Sequence, residues 1–458
     1  LWLPGVYHLL LFLFPTDGPT TAIASAPASY GPIAILYASK NDFVERAAQS
    51  CLHQTYSSIH IYLIDDSDDI ETIRQVDAFH RQYPERTTVV RRPFKSGFKA
   101  GNLNNVLQQI HKHYEFFVIA DADTVLPCKF VVDMLPSFKD PGIGFVQALQ
   151  RTPVQAETDG FSALLSPSTE IYWREFVLRA QSWGFVMFHG HAGIVRTQAW
   201  RDIGGFPEVI SEDLAFSTMI RQCGYRGTIN DAVICDESFP ETYSALCRRQ
   251  RKYVLGAYEH LRKGMSSFVT SSSVPIHEKV DRCIGTVVLM APCWSVVCLI
   301  GLLITPGPFV SAFARPHVGV ICAACFVSMS LPATRALWRH PGTYVAFSVA
   351  TALFYLSITF RATFDVLGAI AGGVLNFPVT GDRRARGRER NWKDLGFDIC
   401  GIAVCSILIF GLHVVEAIPL LVATVLGMYL QLSSNDEFSC LAAMKHPWFC
   451  LKRAVLSL

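Results

Sequence analysis

Half of the 458 residues are hydrophobic, 17% are charged and the net charge is +2. This is too apolar for an ordinary soluble protein of that length, which otherwise allows two or three domains. No basic stripe with interleaved aromatics occurs, which excludes nucleic acid as a partner.

In chain order, residues 1–14 (LWLPGVYHLLLFLF) are apolar but fall short of the roughly 20 needed for a full span. They read as the end of a transmembrane helix, and 15–31, rich in Pro, Thr, Ala, Ser and Gly, as a linker. Residues 32–265 then mix charged and apolar residues as a folded aqueous domain does. Ile33–Ala38, Ile59–Ile64, Thr88–Val90 and Phe116–Ala120 are predicted strands, and Asp42–His53 a helix. Short strands alternating with helices predict an α/β domain with a mixed, mainly parallel sheet. In such sheets ligands sit beyond the carboxyl ends of the strands. Asp65-Asp66 and Asp121-Ala122-Asp123 fall there.

Beyond a connector at 266–282, long uncharged runs begin. Cys283–Thr305 and His317–Thr334 are predicted to form a transmembrane pair across 283–334. The segment 344–373 starts apolar, then carries Arg361 and Asp365. Residues 374–396 hold a basic loop with Arg383, Arg384, Arg386, Arg388, Arg390 and Lys393, and 397–431 hold two further runs, predicted to pair across the membrane, before a tail at 432–458. The positive-inside rule puts the basic loop in the cytosol. If the 32–265 domain is cytosolic too, an even number of crossings separates them, so 344–373 is predicted to lie at the interface. The cysteines are scattered and read as reduced, buried packing residues; the close pair Cys322 and Cys325 lies inside an apolar run.

The chemistry-bearing residues come in a fixed order. Asp65-Asp66 is followed by Lys99-Ala100-Gly101-Asn102-Leu103-Asn104, a cation with small residues suited to a nucleotide. Asp121 and Asp123 supply two carboxylates from one turn, the oxygen ligands that Mg or Mn prefers. Ser211-Glu212-Asp213 and Arg248-Arg249-Gln250-Arg251-Lys252-Tyr253 complete the series. Plainer readings stand beside these. A lone D-x-D is often a solvated turn, Asp213 suits a helix N-cap, and the basic run suits lipid headgroups. His189 and His191 have a zinc pair's chemistry but no third ligand, and Arg361 and Asp365 have the i,i+4 spacing of a helix-surface ion pair.

This order resembles glycosyltransferase family 2, in particular its cellulose-synthase-like branch of membrane-integrated, processive β-glucan synthases, over about residues 30–430. The resemblance implies a GT-A catalytic fold joined to an α-helical transmembrane region. It implies nucleotide-sugar binding by Asp65, Asp66, Lys99, Asp121, Arg249, Lys252 and Thr380, and Mg2+ or Mn2+ on Asp121 and Asp123. Asp213 takes the general-base position, and Glu212, Tyr253, His189 and His191 line the acceptor side. The family's gating F-x-V-T matches Phe377, Val379 and Thr380.

Departures occur where the family's Q-x-x-R-W becomes Arg249, Gln250, Arg251, Lys252 and Tyr253, and its F-F-C-G-S becomes Met187, Phe188, His189, Gly190 and His191. Asp382 stands where the family has Lys. The expectation is inverting, processive transfer of a hexose, glucose from UDP-glucose, to the non-reducing end of a β-glycan. The enzyme would sit multi-pass in a plasma or inner membrane with its catalytic domain cytosolic. The alternatives are single transfer to a membrane lipid, and an inactive transporter or scaffold subunit.

Overall fold

A computed structural model describes residues 7, 9, 30–152, 165–240, 242–304, 331–373, 392–412, 414 and 417–432. Among these, seven strands build one sheet: β1 (Ile33–Ser39), β2 (Ile59–Asp65), β3 (Thr87–Val90), β4 (Phe116–Asp121), β5 (Ile143–Arg151), β6 (Gly193–Arg196) and β7 (Arg226–Asp236). Their order is β3-β2-β1-β4-β6-β5-β7. Only β6 runs against its neighbours, so the sheet is mixed and mainly parallel, as the sequence predicts.

The near-continuous apolar runs of β1 and β4 follow from burial on both faces. Ile33, Ile35, Tyr37, Phe116 and Val118 point into one core, with the helix Glu45–Leu52. Ala34, Leu36, Phe117 and Ile119 point into the other, against Leu103, Val106 and Leu107 of the helix Phe98–Ile110.

The direction of β6 positions the site. The carboxyl ends of β1, β2 and β4 share one edge, with Ser39 beside Asp65 and Ala38 beside Asp121. An antiparallel strand starts where its neighbours end, so the residues leading into β6, His189 to Ala192, reach that same edge. The residue after β7, Glu237, arrives there too, β7 being parallel to β5.

The helix Tyr243–Lys263 joins the sheet domain to the apolar helices. Tyr243, Leu246, Cys247 and Leu255 form one core with Phe354, Ile358, Ala362 and Val366. Among the described residues, Pro341–Ile370 (30 residues) and Trp392–Gly411 (20 residues) are long and apolar enough to cross a membrane. The pair Ile276–Leu289 and Ala291–Gly301 would be a third if its 61° bend lies within one span. Residues 344–370 of the segment expected at the interface lie within the 30-residue helix, whose second part, Thr359–Ile370, buries Thr359, Arg361 and Thr363. Most of His317–Thr334, including Cys322 and Cys325, the basic Arg383–Arg390 and the 432–458 tail beyond Leu432 lie outside the described residues.

Two expectations need correction. Arg361 and Asp365 do not pair on the helix surface. Arg361 is 2% exposed and grips Asp398 (Nε to Oδ1 2.9 Å), while Asp365 accepts from Arg251 (2.8 Å). Their helix is wrapped by its neighbours, and burial lets each charge find a partner on another element. Nor are all cysteines buried: Cys128, Cys223, Cys298 and Cys400 are exposed thiols.

Candidate active site

Asp65 ends β2 and is buried. Its Oδ1 accepts from the Ser67 amide (3.0 Å) and its Oδ2 from Arg91 Nε (2.8 Å). Asp66 accepts from Arg92 Nε (3.0 Å) and a terminal nitrogen (2.7 Å), both side chains being over nine-tenths buried. Arg91 and Arg92, directly after β3, went unremarked in the sequence although their strand end lies beside that of β2.

Lys99 is the second residue of its helix. Its Nζ lies 2.5 Å from Asp121 Oδ1 and donates to the Gly190 carbonyl (2.9 Å). Gly190 has φ +84°, and a Cβ there would sit 3.6 Å from Lys99 Nζ and 3.5 Å from the Asp213 Cβ, so it fills the gap between the two. Asp213 lies in the first turn of the helix Glu212–Gln222, whose N-cap is Ser211. It is therefore not the capping residue; its Oδ1 accepts from the adjacent Leu214 amide (2.7 Å).

The helix Tyr243–Lys263 brings Arg249, Lys252 and Tyr253 to this cleft. It can do so because residue 256 is glycine: a Cβ there would lie 1.8 Å from Ser211 Oγ. Arg249 lies over the Phe239 ring (4.6 Å), and Tyr253 is 44% exposed at the mouth.

The charges explain each other. Burial resists ionisation of Asp121, but Lys99, His191 and Lys252 outweigh it and hold its carboxyl below the usual range. Burial and then Asp121 push Asp123 up to about 6, and burial and then Asp123 push Glu237 up to about 8. Burial and then the neighbouring Glu212 push Asp213 up to about 6, against the pull of Lys252 and Lys99. The Asp121 side chain keeps 33% exposure, so water at the mouth tempers these effects.

The two histidines part company. His191 turns inward: Nδ1 lies 2.8 Å from Thr124 Oγ1, and Nε2 lies 3.3 Å from Gln150 Nε2 and 3.7 Å from Glu237 Oε1. His189 faces an aromatic wall, its ring 4.4 Å from that of Trp173 and its Nε2 3.3 Å from the Tyr172 hydroxyl. Burial lowers them to about 4 and about 3, so both are neutral at pH 7. Their rings face different partners rather than one ion, and no group of three metal-ligating side chains occurs among the described residues.

Asp121 and Asp123 nonetheless suit a hard divalent cation. Such ions often take one or two carboxylates and complete their shell with phosphate oxygens and water. Beyond burial, the repulsion among Asp121, Asp123 and Glu237 that helps raise Asp123 and Glu237 is of the kind a cation offsets. Glu237 escaped the sequence reading, although a carboxylate directly after an apolar strand was its signal. Thr380 and the Phe377–Thr380 segment lie outside the described residues.

Residues 116–363 match the family described as glycosyl transferase family group 2. That stretch carries Asp121, Asp123, Glu212, Asp213, Arg249 and Lys252. The glucans biosynthesis glucosyltransferase H of Cereibacter sphaeroides is 27% identical over 207 residues, 42% of this chain and 34% of that protein. Its counterpart in Caulobacter vibrioides is 26% identical over 238 residues, 47% of this chain and 35% of that protein. The aligned stretches thus span about a third of the length of these curated relatives. A mannosyltransferase from Pyrobaculum calidifontis, solved with GDP-Man and Mn2+, superposes with a TM-score of 0.50 at 19% identity, over 74% of this chain and 95% of that one. That likeness is one of fold.

Proposed function

This chain belongs to glycosyl transferase family group 2, and from that premise we propose that it is an inverting hexosyltransferase that moves glucose from UDP-glucose onto the non-reducing end of a growing β-glucan. The observation that carries this reading is the convergence of Lys99, Asp121, Gly190 and Asp213 on one cleft, with Lys252 in electrostatic reach. The glucose assignment draws on the names of the two relatives.

Asp121 and Asp123 would hold Mg2+ or Mn2+, which supplies charge neutralisation at the donor diphosphate. Lys99, Lys252 and Arg249 supply further positive charge toward the leaving group. The acceptor hydroxyl attacks the anomeric carbon from the side opposite the diphosphate. The new C–O bond forms as the bond to the diphosphate oxygen breaks, the configuration inverts, and the proton passes to an Asp213 carboxylate oxygen. UDP departs with the electron pair. A carboxyl lifted to about 6 is mostly ionised at pH 7 yet basic enough to take that proton.

Tyr253 offers the apolar face of the terminal sugar a ring, and Glu212, His189 and His191 complete the acceptor side, His189 from the aromatic wall and His191 from beneath the D-x-D. Asp65 and Asp66 shape the nucleotide end. The helix Trp392–Gly411 and the bent pair Ile276–Leu289 with Ala291–Gly301 have the length and apolarity of spans, which supports a multi-pass membrane protein. In this reading 344–373 lies at the interface of a plasma or inner membrane, the sheet domain is cytosolic and the polymer passes through the protein's own helices.

The test is incubation of the purified protein with labelled UDP-glucose, GDP-mannose and UDP-N-acetylglucosamine, with and without EDTA, followed by linkage-specific glycanase digestion. A β-glucanase-sensitive polymer made only with added Mg2+ or Mn2+ is expected. A lipid-soluble labelled product would replace glucan extension with single transfer to lipid, and full activity in EDTA would remove the metal.

A further inference from the structure

We propose that Arg92, braced by Asp66, is a positioning residue that aims Lys99 at Asp121 by holding the backbone of residues 96–98 in an unfavourable conformation. This rests on the reading above that Lys99 serves the donor diphosphate.

Arg92 has two sets of contacts. Its Nε (3.0 Å) and a terminal nitrogen (2.7 Å) grip the Asp66 carboxylate. The same terminal nitrogen donates to the Phe98 carbonyl (2.9 Å), and the other donates to the Ser96 carbonyl. The Asp66 and Arg92 side chains are only 8% and 6% exposed, so the carboxylate is already occupied by a planar fork and has little surface left for a ligand.

Between these carbonyls the chain is forced. Gly97 has φ +70° and Phe98 φ +53°. Glycine takes such angles freely, but for a bulky residue the left-handed region is disfavoured roughly tenfold. Phe98 is 47% exposed, so packing of its ring does not explain the strain. The next residue is Lys99, whose ammonium meets Asp121 at 2.5 Å and the Gly190 carbonyl at 2.9 Å. Strain held next to a charged site residue by a buried fork is the mark of a preorganised site.

The identity of residue 98 provides the test. Lysine at 92 keeps the charge beside Asp66 but not the fork, so Phe98 should relax and Lys99 swing away. Glycine at 98 removes the left-handed cost and should let Lys99 find its place without the clamp. We expect Arg92→Lys to weaken UDP binding in the presence of Mn2+, read by calorimetry on the full chain, by about tenfold, the preference lost at residue 98.

Phe98→Gly alone should stay within about threefold of the parent, and Arg92→Lys/Phe98→Gly should return to that range. Asp66→Asn, which loosens the fork from the other side, should fall and be rescued in the same way. It serves if the Arg92 variant does not fold. Rescue of neither single variant by Phe98→Gly overturns the inference. Rescue of Arg92→Lys but not of Asp66→Asn would return Asp66 to direct nucleotide contact and overturn the bracing role. If the parent protein neither binds UDP nor transfers sugar, the functional reading itself fails and takes this inference with it.

Discussion

Replacing Asp213 by Asn keeps the side chain's volume and removes its ability to take a proton. Asp213 is lifted to about 6 by burial and by Glu212, from an ordinary 3.8. A displacement of that size corresponds to at most about 3 kcal/mol by which the charged form disfavours the fold. The sign follows from linkage. A carboxyl raised on folding is neutral in both states well below its ordinary 3.8, and the penalty on the folded state accrues as pH rises from there to about 6 and is full above it. The amide also forgoes a favourable first-turn charge of about 0.3–1 kcal/mol, which offsets part of the gain. Asp213→Asn should therefore unfold at an equal or higher temperature than the parent at pH 7, with the difference vanishing well below pH 4. Sugar transfer should fall roughly 10²–10⁴-fold, the usual worth of a general base. Stability is read by thermal unfolding in detergent, transfer by incorporation of labelled sugar, and UDP binding by calorimetry should be unchanged. A structural role predicts the opposite pattern: near-normal transfer with a lower unfolding temperature would refute the reasoning.

The parent's kcat/KM should fall about tenfold per pH unit below about 6, as Asp213 protonates and ceases to accept a proton; a flat profile down to pH 5 would exclude it as the base. Tyr253→Ala should impair chain elongation more than hydrolysis of the donor, and an equal loss in both would move Tyr253 to donor binding or folding. Arg361 and Asp398 are 2% and 0% exposed in their side chains. Arg361→Leu should thus cost about 3–5 kcal/mol by leaving a buried carboxylate unpaired, while Arg361→Leu/Asp398→Leu recovers most of it. An unchanged melting temperature for the single variant would show that the pair is not holding the helices together.

Much of the sheet was legible because its signals are local. Ile33–Ala38 and Phe116–Ala120 are unbroken apolar runs, which only a strand buried on both faces needs at that length. Each is one residue short of the observed strand because the last position is polar: Ser39 and Asp121. The D-x-D was legible for the same reason, since a carboxylate after such a run must emerge at the sheet edge.

Other contacts were hidden by separation in the chain. Arg251 meets Asp365 114 residues away and Asp394 143 residues away. Nothing in a basic run tells which cation faces the Asp121–Asp213 cleft and which a buried carboxylate. The i,i+4 spacing of Arg361 and Asp365 offered a partner that burial withdrew. Likewise His189 and His191, two residues apart, read as a pair, whereas the start of β6 turns one toward Thr124 and the other toward Trp173.

The sequence alone determined the mixed α/β sheet, the apolar helices and the order of the charged motifs, because hydrophobic periodicity and strand-end chemistry act over a few residues. Only the tertiary structure decided which charges meet. The reversal of β6 brings His191 under the D-x-D, and the missing Cβ of Gly256 lets the helix carrying Lys252 rest on Ser211. The clamp of Arg92 directs Lys99. Electrostatic energy depends on distance through space and on burial, and neither is written in the spacing along the chain.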